Sequence, residues 1–181
     1  MDTKLYFREK FKTLIRDTGL QQAPQRSQIE FQFLTQLKEF FHNKKGYWGA
    51  FFPMPSEPQI LDHLRTLDQI QWTFPKAEGS ILTFHEDIHF EQNAMGYHQP
   101  VSQISIPLNN IEGFLIPGLA FQPSGFRLGR GKGFYDRTLA KTPGTRVGVC
   151  FDFQIQEEIG PVENHDLKMD FILTNHRTFR C

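Results

Sequence analysis

Short apolar runs without polar alternation set the tightest limit on what this chain folds into. Phe114-Leu115-Ile116, Val147-Gly148-Val149-Cys150-Phe151 and Phe171-Ile172-Leu173 offer no polar residue to face water on either side. Strands of that kind suit a parallel sheet covered on both faces by helices. Tyr47 to Phe52 reads the same way. Between these runs the apolar period changes. Phe7, Phe11, Leu14 and Ile15 fall at helical spacing within Thr3 to Arg16, which stops before Gly19. A second helix is expected from Ser27, where Ser27 and Glu30 form an S-x-x-E capping box. Its stripe is Ile29, Phe33, Leu34, Leu37, Phe40 and Phe41, and Asn43 and Gly46 end it.

Pro53, Pro55 and Pro58 enforce a loop before a third helix carrying Ile60, Leu61, Leu64 and Leu67. Gln71 to Phe74 reads as a strand stopped by Pro75. Leu82, Phe84, Ile88 and Phe90 alternate with polar residues at strand period. The expected architecture is a three-layer α/β/α sandwich with a mostly parallel central sheet and the N-terminal helices packed on it. No repeat or linker divides it, so residues 1–181 are expected to form one domain.

Charge narrows the function. Twenty Lys and Arg balance twenty Asp and Glu in 181 residues, so the formal net charge is zero. Nucleic acid is therefore not an expected partner. No apolar run approaches the roughly 18 residues that cross a bilayer. The stretch Met1 to Lys10 is too charged for a signal peptide, and two cysteines make no disulfide framework. A cytoplasmic monomer without membrane contact is expected.

Ligands of such folds gather at the carboxyl ends of strands, which directs attention beyond Ile116. There the chain runs Pro117-Gly118-Leu119-Ala120-Phe121 and, a little later, Arg127-Leu128-Gly129-Arg130-Gly131-Lys132-Gly133-Phe134-Tyr135-Asp136-Arg137. Alternate glycines at 129, 131 and 133 permit positive φ and bring backbone N–H groups close to an anion. Arg127, Arg130 and Lys132 interleave with them, and Tyr135 to Lys141 looks helical, adding a helix N-terminus. This is a phosphate site in outline. It is neither G-x-G-x-x-G, since the third glycine comes one position early, nor Walker A, since position 126 is Phe and position 133 is Gly.

The run from Ile116 to Phe121, then Gly125, then Arg127 to Arg137 resembles the signature of the 5-formyltetrahydrofolate cyclo-ligase (5,10-methenyltetrahydrofolate synthetase) family. Lys4-Leu5-Tyr6-Phe7-Arg8 resembles that family's K-x-x-x-R element, and Gly96 to Pro100 its short G-x-x-[EQ]-P element. Val147-Gly148 through Gln154, then Pro161, His165-Asp166, Asp170 and Thr174, are similar to its C-terminal pattern. The resemblance implies ATP-driven cyclisation of 5-formyltetrahydrofolate to 5,10-methenyltetrahydrofolate. The formyl oxygen would first be phosphorylated, and ADP and phosphate released.

By the same resemblance, ATP would be held by Lys4, Arg8, Arg127, Leu128, Gly129, Arg130, Gly131, Lys132, Gly133, Phe134 and Tyr135. Arg130, Lys132 and Tyr135 would act in catalysis, Phe52, Glu57, Met95 and Tyr135 would contact the folate, and Asp136 and Asp166 would bind Mg²⁺. The residue chemistry agrees in kind. Lys4 and Arg8 lie one helical turn apart, so both heads reach one phosphate. Carboxylates are hard ligands suited to Mg²⁺ beside phosphate. Phe52 can wall a flat pterin, and Glu57 can accept from pterin N–H groups. The chain departs from the family pattern at Met95, Gln122, Phe134, Glu112 and Gly113.

His85-Glu86-Asp87-Ile88-His89 also matches H-E-x-x-H, which as a zinc peptidase site needs His85, Glu86 and His89 on one helix. The strand period instead puts Leu82 and Phe84 on one face and Thr83, His85 and His89 on a solvent-facing one. A zinc metallopeptidase is one alternative reading. A relative that keeps ATP but has lost the folate reaction, motivated by Met95 and Gln122, is the other.

Overall fold

The computed structural model describes residues 3–19, 25–86, 89–92, 96 and 98–181. In chain order the elements are α1 (Thr3–Asp17), α2 (Gln25–Phe41), β1 (Gly46–Gly49), α3 (Leu61–Leu64), β2 (Ile70–Glu78), β3 (Ile81–His85), β4 (Phe90–Gln92), β5 (His98–Pro100) and β6 (Ser105–Ile106). Then follow β7 (Ile111–Pro117), β8 (Ala120–Phe121), β9 (Arg127–Leu128), α4 (Phe134–Leu139), β10 (Thr145–Val149), β11 (Phe171–Leu173) and β12 (Thr178–Arg180). Eight strands form one sheet in the order β12-β11-β10-β7-β1-β2-β3-β6. The five from β11 to β2 are parallel, while β12, β3 and β6 pair antiparallel at the two edges.

The apolar runs behave as their composition requires. In β7, Phe114, Leu115 and Ile116 are all fully buried. Leu115 joins Phe33, Leu37, Phe41, Trp48 and Val147 beneath α2 and α3. Phe114 and Ile116 join Phe84, Phe121, Leu139 and Ile172 on the α4 side. The result is helix, sheet and helix in three layers. The β1–β7 register slips between Tyr47 and Trp48, so Ile111 and Phe114 share a face. Gly113 sits at that slip because a Cβ there would lie 2.5 Å from the Trp48 ring and 2.6 Å from the Thr145 carbonyl oxygen.

Several expectations need correction. Only α2 lies on the sheet as anticipated; the stripe Phe7, Phe11 and Ile15 of α1 packs instead on Leu119, Ala120, Leu128 and Ile159, around the β8–β9 hairpin. Ser27 lies inside α2 rather than capping it, and Glu30 pairs with Arg26 one turn earlier at 2.8 Å. Pro75 does not end β2. Its pairing with β1 stops at Thr73, so beyond that point the strand needs donors on the β3 side alone. His85 is buried at 1% exposure rather than facing solvent, and its Nε2 lies 2.8 Å from Thr83 Oγ1. The cause is cover on the face away from α4: β3 lies inside the sheet, and His85 pairs with Phe74, whose ring packs with Phe52 and Phe90.

Candidate active site at the strand carboxyl ends

The topology names the place before any side chain does. From β1 the chain crosses through α3 to β2 on one side; from β7 it crosses through α4 to β10 on the other. The strand order therefore switches direction between β1 and β7. A crevice opens outside their carboxyl ends, where open α/β sheets bind ligands. The loop after β1 carries Phe52, Ser56 and Glu57. The segment after β7 carries the β8–β9 hairpin and the glycine-rich run.

These two loops meet. Arg130 Nε donates to Glu57 Oε1 at 3.1 Å, and Arg130 Nη2 to Ser56 Oγ at 2.8 Å. The second Glu57 oxygen accepts the Met54 N–H at 2.9 Å. The Glu57 side chain is 6% exposed and that of Arg130 30%, so the carboxylate is walled in while the guanidinium still reaches solvent. Glu57, expected on the folate side, and Arg130, expected on the phosphate side, thus form one ion pair. Ser56 had no distinguishing signal in the sequence.

The glycines divide the work. Gly131 and Gly133 adopt φ of 100° and 64°, which bends the loop tightly into α4. Gly129 does not adopt positive φ; it leaves room for the Arg127 guanidinium, 3.1 Å from where a Cβ would sit. Helix α4 is six residues long, shorter than expected, and its role is to place Tyr135 and Asp136 rather than to lend a dipole. Arg8 Nε donates to the Gly129 carbonyl at 3.2 Å, bringing α1 to the loop. Arg137 Nη2 holds the Lys132 carbonyl at 2.7 Å.

Arg127 is the most buried of these cations, its side chain 6% exposed. Its Nη2 meets Asp136 Oδ1 at 2.9 Å and its Nη1 the Pro117 carbonyl at 3.2 Å, while the guanidinium lies 5.5 Å from the Tyr135 ring centre. Burial pushes the Tyr135 phenol well above its ordinary range, with Arg127 opposing and Glu57 reinforcing. At neutral pH that group is a hydrogen-bond donor and not a base.

Lys4 sits 2.8 Å from Asp166 and 3.1 Å from Glu163. Burial works against the charge on both partners, but their mutual hydrogen bond and attraction outweigh it, so Lys4 is held above its usual value and Asp166 below. Asp136 Oδ1 also receives the N–H of Leu167, the residue after Asp166, at 3.4 Å. The three-ligand cluster among the described residues is nevertheless Glu163, His165 and Asp166, without Asp136.

Where folate contacts are expected, Phe52 stacks on Phe74 at 4.9 Å and meets Phe90 edge-on at 4.4 Å, with His98 6.0 Å away. The β4–β5 hairpin thereby covers Phe52. Met95 lies outside the described residues. Gln122 points away from the crevice, its amide donating to the Glu157 carbonyl. Phe134 packs under Arg137, and Glu112 stands by Gly46 at the opposite end of the sheet. The buried Gln154 amide, which holds the Gly118 and Leu119 carbonyls at 3.0 Å, is a further anchor of the phosphate segment. H-E-x-x-H falls at the end of a strand, with His85 against Thr83 and Glu86 against the Tyr47 hydroxyl, and so lacks the helix a zincin site requires.

Comparison with known proteins speaks to the family and the fold. The profile of the 5-formyltetrahydrofolate cyclo-ligase family matches residues 7–175. The chain is 32% identical over 107 residues to the 5-formyltetrahydrofolate cyclo-ligase of Escherichia coli K12, covering 55% of this chain and 58% of that protein. It is 35% identical over 104 residues to the mouse cyclo-ligase, covering 51% and 50%. The matched stretches thus span little more than half of these relatives' own lengths. The fold agrees with the Aquifex aeolicus 5,10-methenyltetrahydrofolate synthetase at a TM-score of 0.80 and 25% identity, covering 98% of this chain and 92% of that one. The Mycoplasma pneumoniae synthetase shares the fold at a TM-score of 0.75. Matched along nearly its whole length, the chain belongs to the 5-formyltetrahydrofolate cyclo-ligase family.

Proposed function

We propose that the protein couples ATP cleavage to the cyclisation of 5-formyltetrahydrofolate, giving 5,10-methenyltetrahydrofolate, ADP and phosphate. The observation that carries this reading is the meeting of Arg130 with Glu57 across the β1–β7 crevice. A site for one ligand has no need to join a glycine-rich cationic loop to an acid-bearing loop beside aromatic rings. A reaction that transfers phosphate onto a flat heterocycle does.

The formyl oxygen is a poor leaving group, so the γ-phosphoryl group passes to it first. The bond from phosphorus to ADP breaks as the bond to the formyl oxygen forms. N10 then attacks the formyl carbon and gives up its proton to solvent, and the carbon–oxygen bond breaks to release phosphate. Such transfer depends on positioning and on cations placed where charge develops. Arg130 and Lys132 serve the moving phosphoryl group, Lys4 and Arg8 the remaining phosphates along α1, and the Gly129–Gly133 backbone the close approach. Tyr135, held protonated, donates to the phosphate or the formyl oxygen. Phe52 walls the pterin and Glu57 accepts from its N–H groups; Met95 completes that wall in this reading.

Asp136 and Asp166 fit Mg²⁺ by chemistry, as two carboxylates, Asp136 accepting the N–H of the residue that follows Asp166. The ion, held by these carboxylates, would supply positive charge against the phosphates. Arg127, buried on Asp136, orients that carboxylate. The reading also makes the protein a cytoplasmic monomer of one domain with small-molecule substrates. Among the described residues no helix is long and apolar enough to cross a membrane.

The test is absorbance of the methenyl product with purified protein, 5-formyltetrahydrofolate and MgATP. A rise that needs all three components is expected. No ATP-dependent rise would sink the proposal.

A further inference from the structure

Each carboxylate at the site is already committed to a cation. Asp166 holds Lys4, Asp136 holds Arg127, and Glu57 holds Arg130. The first two pairs join groups on the phosphate side alone. The third joins the two sides, its members 73 positions apart in the chain. Its geometry is specific: Nε and Nη2, the two donors on one edge of the Arg130 guanidinium, both go to the 56–57 loop. That edge is one of the forks by which arginine grips a phosphate with two parallel bonds.

Arg130 therefore cannot offer this fork to a phosphate and keep Glu57 at the same time. Leaving Glu57 is unfavourable by itself, since a carboxylate 6% exposed would keep only the Met54 N–H. A reduced pterin changes that balance, because its ring amide and exocyclic amine present N–H donors in one plane. Resting on the folate reading above, we infer that Glu57 exchanges partners. Arg130 holds it in the free protein, the folate N–H groups hold it in the complex, and the freed Arg130 fork is then available to the phosphate of ATP. Folate and nucleotide consequently bind with positive coupling, and by linkage each tightens the other equally. The protein keeps its phosphate fork closed until there is an acceptor to phosphorylate.

The experiment is calorimetric titration of the full chain with Mg²⁺ and a non-hydrolysable ATP analogue, with and without saturating 5-formyltetrahydrofolate. The unaltered protein is expected to bind the analogue about tenfold tighter with folate than without, within the usual range of coupling between sites. Glu57→Gln keeps the shape and removes the charge. Without folate it is expected to bind the analogue about tenfold tighter than the unaltered protein, and folate should add nothing. A variant damaged only in its folding would not gain affinity.

Equal or weaker analogue binding by folded Glu57→Gln in the absence of folate overturns the exchange. Ser56→Ala, which removes the bond to Nη2 and leaves the carboxylate in place, decides the matter if Glu57→Gln fails to fold. It should tighten the analogue about threefold without folate, the worth of one modest hydrogen bond. No tightening there overturns the exchange as well. Turnover by the unaltered protein separates the two levels: methenyl product without coupling removes only the exchange, and no product removes the activity and the exchange together.

Discussion

The two sides of the crevice are built from different materials. On the side proposed to hold phosphate, cations are tied by polar bonds, Arg127 to Asp136 and Pro117, Arg8 to Gly129, and Arg137 to the Lys132 carbonyl. On the side proposed to hold folate, Phe52 rests on Phe74 and Phe90 through ring faces and edges. Hydrogen bonds to charged groups are directional and lose most of their worth when a donor shifts. Ring packing is shallower and tolerates movement. Damage on the first side should therefore appear in kcat and stability, and damage on the second chiefly in KM for the folate.

Four measurements sharpen that contrast, taken from the largest effect downward. Arg127→Met leaves Asp136 without its buried partner and should lower unfolding free energy by about 3–5 kcal/mol, read from urea denaturation. Its kcat should fall as Asp136 loses its orientation. Lys132→Ala should reduce kcat about 10²–10³-fold with an unchanged urea midpoint, the scale seen when one transition-state donor is removed. Near-normal turnover would mean that the glycine loop does not hold the reacting phosphate.

Phe52→Ala should raise KM for 5-formyltetrahydrofolate about tenfold and leave KM for ATP and kcat near their original values. A loss confined to kcat would break the distinction between the two sides. The smallest effect is on pH dependence. Asp166 titrates below its usual value when folded, so its contribution is complete above about pH 4 and fades as the pH falls through the folded value. Lys4 is raised, so its share persists until the pH climbs above its ordinary 10.5 and through the folded value. Asp166→Asn should cost about 1 kcal/mol at pH 7 and flatten the acid limb of the urea midpoint against pH.

Legibility followed contiguity. The glycine-rich run and strands β7, β10 and β11 could be read directly, because a few adjacent residues suffice to declare a tight loop or a doubly buried strand. Helix α1 was equally plain as a helix, yet its partner was not. The stripe Phe7, Phe11 and Ile15 says that a face is buried without saying on what, and the answer is the β8–β9 hairpin. The strand alternation through Thr83 and His85 was right in period and wrong in exposure, since a third layer covers a face that the pattern leaves to water.

Charge shows the same division most clearly. Overall neutrality, and the local excess of four cations (Arg127, Arg130, Lys132, Arg137) over one acid (Asp136) from Arg127 to Arg137, are properties of the sequence alone. So are the chemistry available at each position, the buried character of the central strands and the bend of the loop, because all of these depend on neighbours in the chain. Which acid meets which cation is not of that kind. Lys4 finds Asp166 across 162 positions and Arg130 finds Glu57 across 73, distances over which propensity and period carry no information. Only the order of strands in the sheet, switching direction between β1 and β7, brings those carboxylates to the cationic loop and turns a run of positive charge into a set of ion pairs along one crevice.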